Sequence, residues 1–109
     1  MASIKTEGSQ SATLDTEHTL ATVTDSGTYV LVVDLANMVN NDRLILRIKT
    51  KLTSGDTSQL AYEATYAHAQ SRDNVYSVPV PSPIEFVATL EQTDGTGRTY
   101  IWAIYNLEA

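Results

Sequence analysis

Apolar and polar residues alternate along most of this chain, and the alternation predicts strands rather than helices. The most regular segment is RLILRIKTKL, residues 43–52, in which Leu44, Leu46, Ile48 and Leu52 fall on one side. The other side carries what we call the cation row: Arg43, Arg47, Lys49 and Lys51. A period of two residues is that of a strand with one buried face.

Further segments carry a strand signal, separated by turn residues. Residues 18–24 and 28–34 flank the turn sequence DSG, and residues 28–34 are apolar enough for a strand buried on both faces. Residues 75–83 contain three prolines. Since proline cannot donate to a sheet ladder, we expect an edge strand or a bend between sheets there.

Two hairpins follow from pairing these segments. Residues 44–52 and 60–68 match when paired numbers sum to 112, which sets Lys49 opposite Glu63. A slip of one residue would place apolar side chains on the polar face. Residues 84–92 and 98–107 flank TDGTG, a glycine-rich loop typical of a hairpin, with Phe86 opposite Ile104.

The remaining segments complete the predicted architecture. Residues 35–42 have helical spacing and predict a short helical crossover, capped by Asp34. Residues 1–16 lack periodicity and predict a flexible or extended arm outside the core. We expect a single domain over residues 17–109, an all-β fold of about seven strands with one short helix. It is either an antiparallel β-sandwich or a jelly-roll-like barrel.

Composition limits the classes of partner and site. The 109 residues include no cysteine, which excludes disulfides and cysteine-based metal sites. The net charge of −6 argues against general binding of nucleic acid. Neither a long apolar run nor the apolar stretch of a signal peptide is visible. We therefore expect synthesis in the cytoplasm and no membrane partner.

Residues with candidate chemistry do not converge. His18 and His68 are far apart in sequence, without ligand neighbours at metal spacing. The segment DGTGR, residues 94–98, precedes a strand rather than a helix, so it predicts a turn and not a phosphate loop. No nucleophile with an oriented base is apparent. We expect no catalytic residue, no cofactor and no metal.

Aromatic residues leave three uses open. The chain has six tyrosines and one tryptophan, Trp102. Aromatic side chains on strands pack in a core, anchor a protein interface, or form a platform for sugars.

The cation row also has several interpretations. Acids on neighbouring strands could balance it, beginning with Lys49 and Glu63, or it could discourage pairing of strand edges. It could instead contact an acidic partner or the acidic side of a second copy, for which the candidates are Glu85, Glu91, Asp94 and Glu108. Exposed ion pairs are worth less than about 1 kcal/mol each. Replacing Arg47 and Lys49 is thus predicted to leave stability nearly unchanged.

Three long strings carry a resemblance to a known group. TLATVTDSGTYVLVVDL, LRIKTKLTSGDTSQLAYEATYAHAQ and YSVPVPSPIEFVATLEQTDGTGRTYIWAIYNL span about residues 18–107. They resemble small proteins encoded in tailed-bacteriophage genomes. The resemblance implies a virion structural component, and in particular a head decoration (cement) protein on the capsid surface.

The resemblance also implies an assembly. Small all-β cement proteins commonly form trimers and clamp neighbouring capsid subunits, so the expected partners are further copies of this chain and the major capsid protein. Two alternatives stay open: a tail, connector or fibre-attachment component of the virion, and a carbohydrate-binding β-sandwich module. The second requires Trp102 and several tyrosines on an exposed face.

Overall fold

A computed structural model describes residues 3–107, which form two antiparallel sheets packed together. These residues contain nine strands: β1 (Ser3–Ser11), β2 (Glu17–Val23), β3 (Gly27–Asp34), β4 (Arg43–Thr50), β5 (Gln59–Ala67), β6 (Asn74–Tyr76), β7 (Val80–Ser82), β8 (Phe86–Asp94) and β9 (Thr99–Asn106). The five-stranded sheet has the order β1-β9-β3-β6, and β7 also pairs with β3. The four-stranded sheet has the order β2-β8-β4-β5. The all-β, sandwich-like prediction is thus confirmed.

The core lies between the sheets and takes alternate residues from each strand. In β3 the inward side chains Tyr29, Leu31 and Val33 are fully buried, and in β4 the inward side chains are Leu44, Leu46 and Ile48. The outward residues of β3, Val30 and Val32, are only 7% and 6% exposed. β3 is therefore buried on both faces, as its continuous apolar sequence predicts.

Strands β4 and β5 form the predicted hairpin in a different register. Arg47 lies opposite Glu63 and Ile48 opposite Tyr62, two positions from the predicted pairing. The pairing of Lys49 with Glu63 is therefore wrong. Over residues 43–48 the shift of two residues leaves the side chains on their expected faces, so alternation alone does not distinguish the two registers there. A bulge after Ile48 then places Lys49 opposite Leu60, which is 53% exposed rather than part of the core. The observed register places opposite charges directly across from each other.

The predicted hairpin of β8 and β9 is wrong. β8 lies between β2 and β4 in one sheet, whereas β9 lies between β1 and β3 in the other. Phe86 and Ile104 are both fully buried, as expected, but from opposite sheets. The glycine-containing loop between them is an arch over the edge of the core.

The predicted helix after β3 is also wrong. The chain makes two successive turns instead, with Met38 N–H donating to Leu35 C=O (3.0 Å) and Asp42 N–H donating to Val39 C=O (3.1 Å). Asn41 has a φ of 80°, which a right-handed helix does not allow. The apolar positions reflect burial of Leu35 and Met38 under the sandwich rim, not helical periodicity.

The N-terminal segment differs from the predicted arm. Residues 3–11 are extended, but they pair with β9 along the edge of the five-stranded sheet, so the sandwich begins before residue 17. The strand buries no side chain completely. Its polar sequence reflects an edge position and not separation from the sheet. Residues 1 and 2 lie outside the described part of the chain.

The proline-containing segment takes the predicted edge position. β6 and β7 pair with opposite ends of β3, and Pro81 lies opposite Thr28 in the β7 pairing. Proline here limits further strand addition at that edge.

A buried polar cluster holds the arch between β8 and β9. Gln92 is fully buried, and its amide nitrogen donates to the carbonyls of Asp94 (3.0 Å) and Thr96 (2.7 Å). Its amide oxygen accepts from Arg98 N–H (3.2 Å) and from the Tyr100 hydroxyl (2.9 Å). All the hydrogen-bonding capacity of this side chain is thus used to fix the arch.

Asp42 joins this cluster from the β3–β4 connection. Its carboxylate, 1% exposed, accepts from Val39 N–H (3.0 Å), Thr96 N–H (3.3 Å) and the Arg98 guanidinium (3.0 Å). Burial by itself raises the pKa of Asp42, but these hydrogen bonds and the charge of Arg98 outweigh it and hold the pKa below its usual value. Burial and the nearby Asp42 charge raise the pKa of Tyr100 to about 12. We call Asp42, Gln92, Arg98 and Tyr100 the corner cluster.

Two glycines in the arch should be intolerant of substitution. Gly95 has a φ of 86°, and a Cβ there would lie 2.9 Å from Asp42 Cα; a Cβ at Gly97 would lie 2.3 Å from the Ala12 carbonyl oxygen. We expect Gly95→Ala to lower the free energy of unfolding by at least about 1–2 kcal/mol, from the left-handed backbone alone. Gly97→Ala should also destabilise the protein. Urea unfolding measures both, with Gly55→Ala as the control because its Cβ would meet nothing within 4 Å. Equal stability of all three variants would contradict the arch geometry.

Stability should also depend on the charge of Asp42. The pKa of the Asp42 carboxyl is lower in the folded than in the unfolded chain. Its contribution to the free energy of unfolding is therefore complete above the unfolded pKa of about 4. That contribution is lost as the pH falls through the folded pKa. Asp42→Asn should lower the free energy of unfolding at pH 7 by about 1.5–3 kcal/mol and flatten its decline in acid. Asp15→Asn, at an exposed carboxylate, is the matched control. Parallel pH profiles for Asp42→Asn and the parent would contradict this role.

Candidate functional site

The cation row lies on the outer face of the four-stranded sheet and at its margin. Arg47 and Lys49 alternate with the buried Leu46 and Ile48 on β4, an interior strand of that sheet. Arg43 begins the strand, and Lys51 follows its end. The predicted outward orientation places each cation beside an acid of the same chain.

Arg47 is the centre of a network that spans all four strands. Its Nε donates to Glu63 of β5 (2.7 Å), and a terminal nitrogen lies 2.8 Å from Glu91 of β8 and 3.3 Å from Glu17 of β2. Lys49 Nζ lies 3.3 Å from the same Glu17 oxygen. We call these five residues the Arg47 network. They connect strands that are distant in sequence but adjacent in the sheet.

The environment of Arg47 and Glu17 favours the charged form of each side chain. Hydrogen bonds with Glu91 and Glu63 raise the pKa of Arg47, with a smaller contribution from Glu17. The Thr89 hydroxyl donates to Glu17 (2.6 Å); this bond is the largest cause of a lowered Glu17 pKa, and Lys49 and Arg47 add to it against the effect of burial. Two cations face three carboxylates, +2 against −3, so the network has a net charge of −1. This surface is therefore not basic.

The acids proposed for a contact between copies are occupied within one chain. Glu91 pairs with Arg47, Asp94 lies 3.8 Å from Arg43, and Glu85 lies 3.9 Å from Lys51. The fourth candidate, Glu108, lies outside the described residues. Contact of the cation row with another chain stays a prediction, but each of its cations already has a carboxylate partner.

Aromatic side chains are mostly used in the core. Tyr29 and Tyr100 are fully buried and Trp102 is 7% exposed, while Tyr76 is 58% exposed. Tyr62, Tyr66 and Tyr105 are partly buried. A sugar-binding platform would require an exposed Trp102, but the Trp102 ring packs in the core.

The outer face of the five-stranded sheet is apolar. On β9, Ile101, Ala103 and Tyr105 alternate with core residues and point away from the core, next to Val32 of β3. Ile101 is 61% exposed, and Ile4 on β1 is 57% exposed. Apolar side chains on three adjacent strands thus form one surface, unlike the charged outer face of the other sheet.

A groove of about 420 Å³ runs over this surface, and we call it the Ala103 groove. Ala103 lies between Glu7 of β1 and Val32 of β3 in the ladder, and the larger Ile101 and Tyr105 flank it along β9. A small side chain between larger ones produces the depression. Its lining is completed by Ile4, Gly8, Asp34, Asn74 and Trp102.

Sequence reasoning missed this face, although a signal for it was present. YIWAIY in β9 is apolar at consecutive positions, as β3 is, and such runs indicate a strand with two apolar faces. The same test identified β3 as a central strand. Applied to β9, it predicts an apolar outer face as well as an apolar inner face.

The histidines contact backbone groups. His18 Nε2 accepts from Thr13 N–H (3.0 Å), and His68 Nδ1 accepts from Asn41 N–H (3.1 Å). Among residues 3–107 there is no group of three or more His, Cys, Asp or Glu side chains arranged to hold a metal. Within the same range no helix has the length and apolarity needed to cross a membrane.

Removal of the Arg47 side chain should destabilise the protein, whereas the sequence predicted nearly unchanged stability. Its side chain is 22% exposed, and Arg47→Ser would leave Glu17, Glu63 and Glu91 to repel one another. Loss of charged hydrogen bonds predicts about 1.5–3 kcal/mol of destabilisation. Arg43→Ser, at a half-exposed cation with one distant partner, should cost less than about 0.5 kcal/mol.

Chemical denaturation with urea checks this difference at two salt concentrations. Added salt should narrow the gap between the Arg47 variant and the parent, because it screens the carboxylates. If both arginine variants have the stability of the parent, the network contributes nothing.

Comparison with known proteins adds no relative to these observations. No protein-family model matches the chain, and no curated protein or solved structure matches it. The resemblance to small tailed-phage proteins therefore depends on the sequence strings alone, and its functional implications enter below as a proposal.

Proposed function

We propose that this protein is a non-enzymatic structural component of a bacteriophage virion, a capsid decoration (cement) protein that binds and stabilises the head shell. It would be made in the host cytoplasm and assemble on the capsid surface, with the major capsid protein and further copies of itself as partners. The observation that carries the proposal is the exposed apolar outer face of the five-stranded sheet. The sequence resemblance supplies its specific form.

The two outer faces of the sandwich differ in what they offer a partner. On the four-stranded sheet, Arg47 and its neighbours are satisfied by acids of the same chain, so a partner would have to break existing pairs. On the five-stranded sheet, Ile4 and Ile101 expose apolar surface around a groove. Apolar surface with a polar margin is typical of protein-binding sites.

A decoration protein can function with a modest individual contact. A symmetric shell presents the same site many times, and an oligomer that engages several sites gains effective concentration at each. A homotrimer of this chain would therefore hold the shell firmly even if each groove binds weakly. Sedimentation of the purified protein tests for the oligomer.

Two other functions remain as alternatives. A tail, connector or fibre-attachment component would use the same apolar face, but at a few copies per particle. A carbohydrate-binding module is less favoured because Trp102 is buried, although Tyr76 is exposed.

Quantitative mass spectrometry of purified virions from a phage that encodes this chain tests the proposal. A copy number comparable to that of the major capsid protein is expected. A few copies per particle would favour the tail or connector alternative, and absence from the virion would refute both.

The docking face can be tested in the same particles. Ile101→Ser should reduce incorporation because it removes exposed apolar surface from the five-stranded sheet, without loss of a core side chain. Leu52→Ser is the matched control, since Leu52 is 78% exposed in the β4–β5 loop. Equal incorporation of both variants would contradict docking through this face.

A further inference from the structure

Two carboxylates line the Ala103 groove, and none of the described residues that line it is a cation. The backbone of Glu7 pairs with β9, but its carboxylate makes no hydrogen bond or ion pair with residues 3–107. Asp34 accepts a hydrogen bond from Ala36 N–H (2.9 Å) but has no cationic partner among these residues. The groove therefore combines an apolar floor with negative charge that residues 3–107 leave unmatched.

The chain places its cations elsewhere. Six of the seven Lys and Arg side chains form ion pairs away from the groove: Lys5, Arg43, Arg47, Lys49, Lys51 and Arg98. The seventh, Arg72, lines a neighbouring polar pocket that shares Asn74 with the groove, and it forms no ion pair with residues 3–107. Within the described part of the chain, no Lys or Arg thus pairs with Glu7 or Asp34.

We propose that the groove receives a lysine or arginine side chain from a different protein, presented on an apolar segment. The aliphatic stem would lie over Ala103 and Val32, and the charged head would reach Glu7 or Asp34. Long cationic side chains commonly bury their stems against apolar surface in this way, and a cation beside a carboxylate makes the stronger class of hydrogen bond. This inference depends on the proposed docking face and names the chemistry of its partner.

The unmatched carboxylates also determine which partners are rejected. Covering the apolar floor would remove water from Glu7 and Asp34, and an ionised group without a partner is costly to desolvate. An uncharged or acidic segment is therefore disfavoured, whereas a cationic one compensates the loss. A second copy meeting this face through its own groove would bring only further carboxylates, so we exclude that arrangement.

Synthetic peptides test the recognition directly. The probe is a strand-length peptide of alternating lysine and valine, compared with Lys–Ser and Glu–Val peptides of the same length. Binding to the purified protein is measured by fluorescence anisotropy at physiological salt. We expect the Lys–Val peptide to bind at least about tenfold more tightly than either control.

Matched variants separate the groove from overall acidity. Glu7→Gln with Asp34→Asn should weaken Lys–Val binding by about tenfold, and the new amide oxygen can still accept the hydrogen bond from Ala36 N–H. Asp15→Asn with Asp56→Asn changes net charge equally at acids outside the groove lining and should leave binding unchanged. Ile101→Ser should also weaken binding, because it removes the apolar wall.

Each remaining outcome overturns the inference. If Ile101→Ser weakens binding but the Glu7/Asp34 variant does not, the docking face stands and the cationic partner is wrong. If both charge variants weaken binding equally, only overall acidity attracts the peptide. If the parent does not bind the Lys–Val peptide, the occupant is not a cationic segment. If sedimentation shows that Ile101→Ser dissociates an oligomer, the occupant is a second copy of this chain and not a different protein.

Discussion

The constraint on which this fold depends is that the chain changes sheets at most of its connections. Within residues 3–107, only the connections β4–β5 and β6–β7 stay in one sheet. Every crossing carries polar backbone past the rim of the core, where its hydrogen bonds need partners. The corner cluster meets this requirement for two crossings at once, because Asp42 ends the β3–β4 connection while Gln92 and Arg98 hold the β8–β9 arch. The sandwich is thus closed at one corner by polar contacts in which Asp42, Gln92 and Tyr100 are as buried as the apolar core, while Arg98 reaches them from a partly exposed position.

This connectivity explains what sequence alone could predict. Alternation determines which side of a strand is buried, so the inward residues of β4 and the two-sided burial of β3 were predictable. It contains nothing about which sheet a strand joins, so β8 and β9 were paired across a loop that in fact arches between sheets. Glycines mark tight loops of both kinds, and the partner of Gly95, Asp42, is distant in sequence. The predicted helix after β3 was wrong for a similar reason, because the residues buried at the rim happen to have helical spacing.

The candidate sites show the same division between local and long-range information. Sequence located the cation row correctly but not its partners, because Glu17 and Glu91 reach Arg47 only through strand order. A row of cations in sequence therefore does not establish a basic surface. The apolar outer face, by contrast, is indicated by local sequence, namely the unbroken apolar runs of β3 and β9. The pairing of β9 with β8 across the glycine-rich loop did not use this signal.

The excess negative charge of this protein is not spread evenly over its ion pairs. Seven of the thirteen acids form ion pairs with six cations within the described residues, so most of the net charge of −6 lies with the other acids. Two of these, Glu7 and Asp34, line the apolar groove. Surplus negative charge would attract a basic partner toward the molecule over about a Debye length, ~8–10 Å at ordinary salt. It would also keep free copies apart. The groove adds a short-range contact to this long-range attraction, because there a cation finds apolar surface for its stem beside a carboxylate without an ion-pair partner for its head.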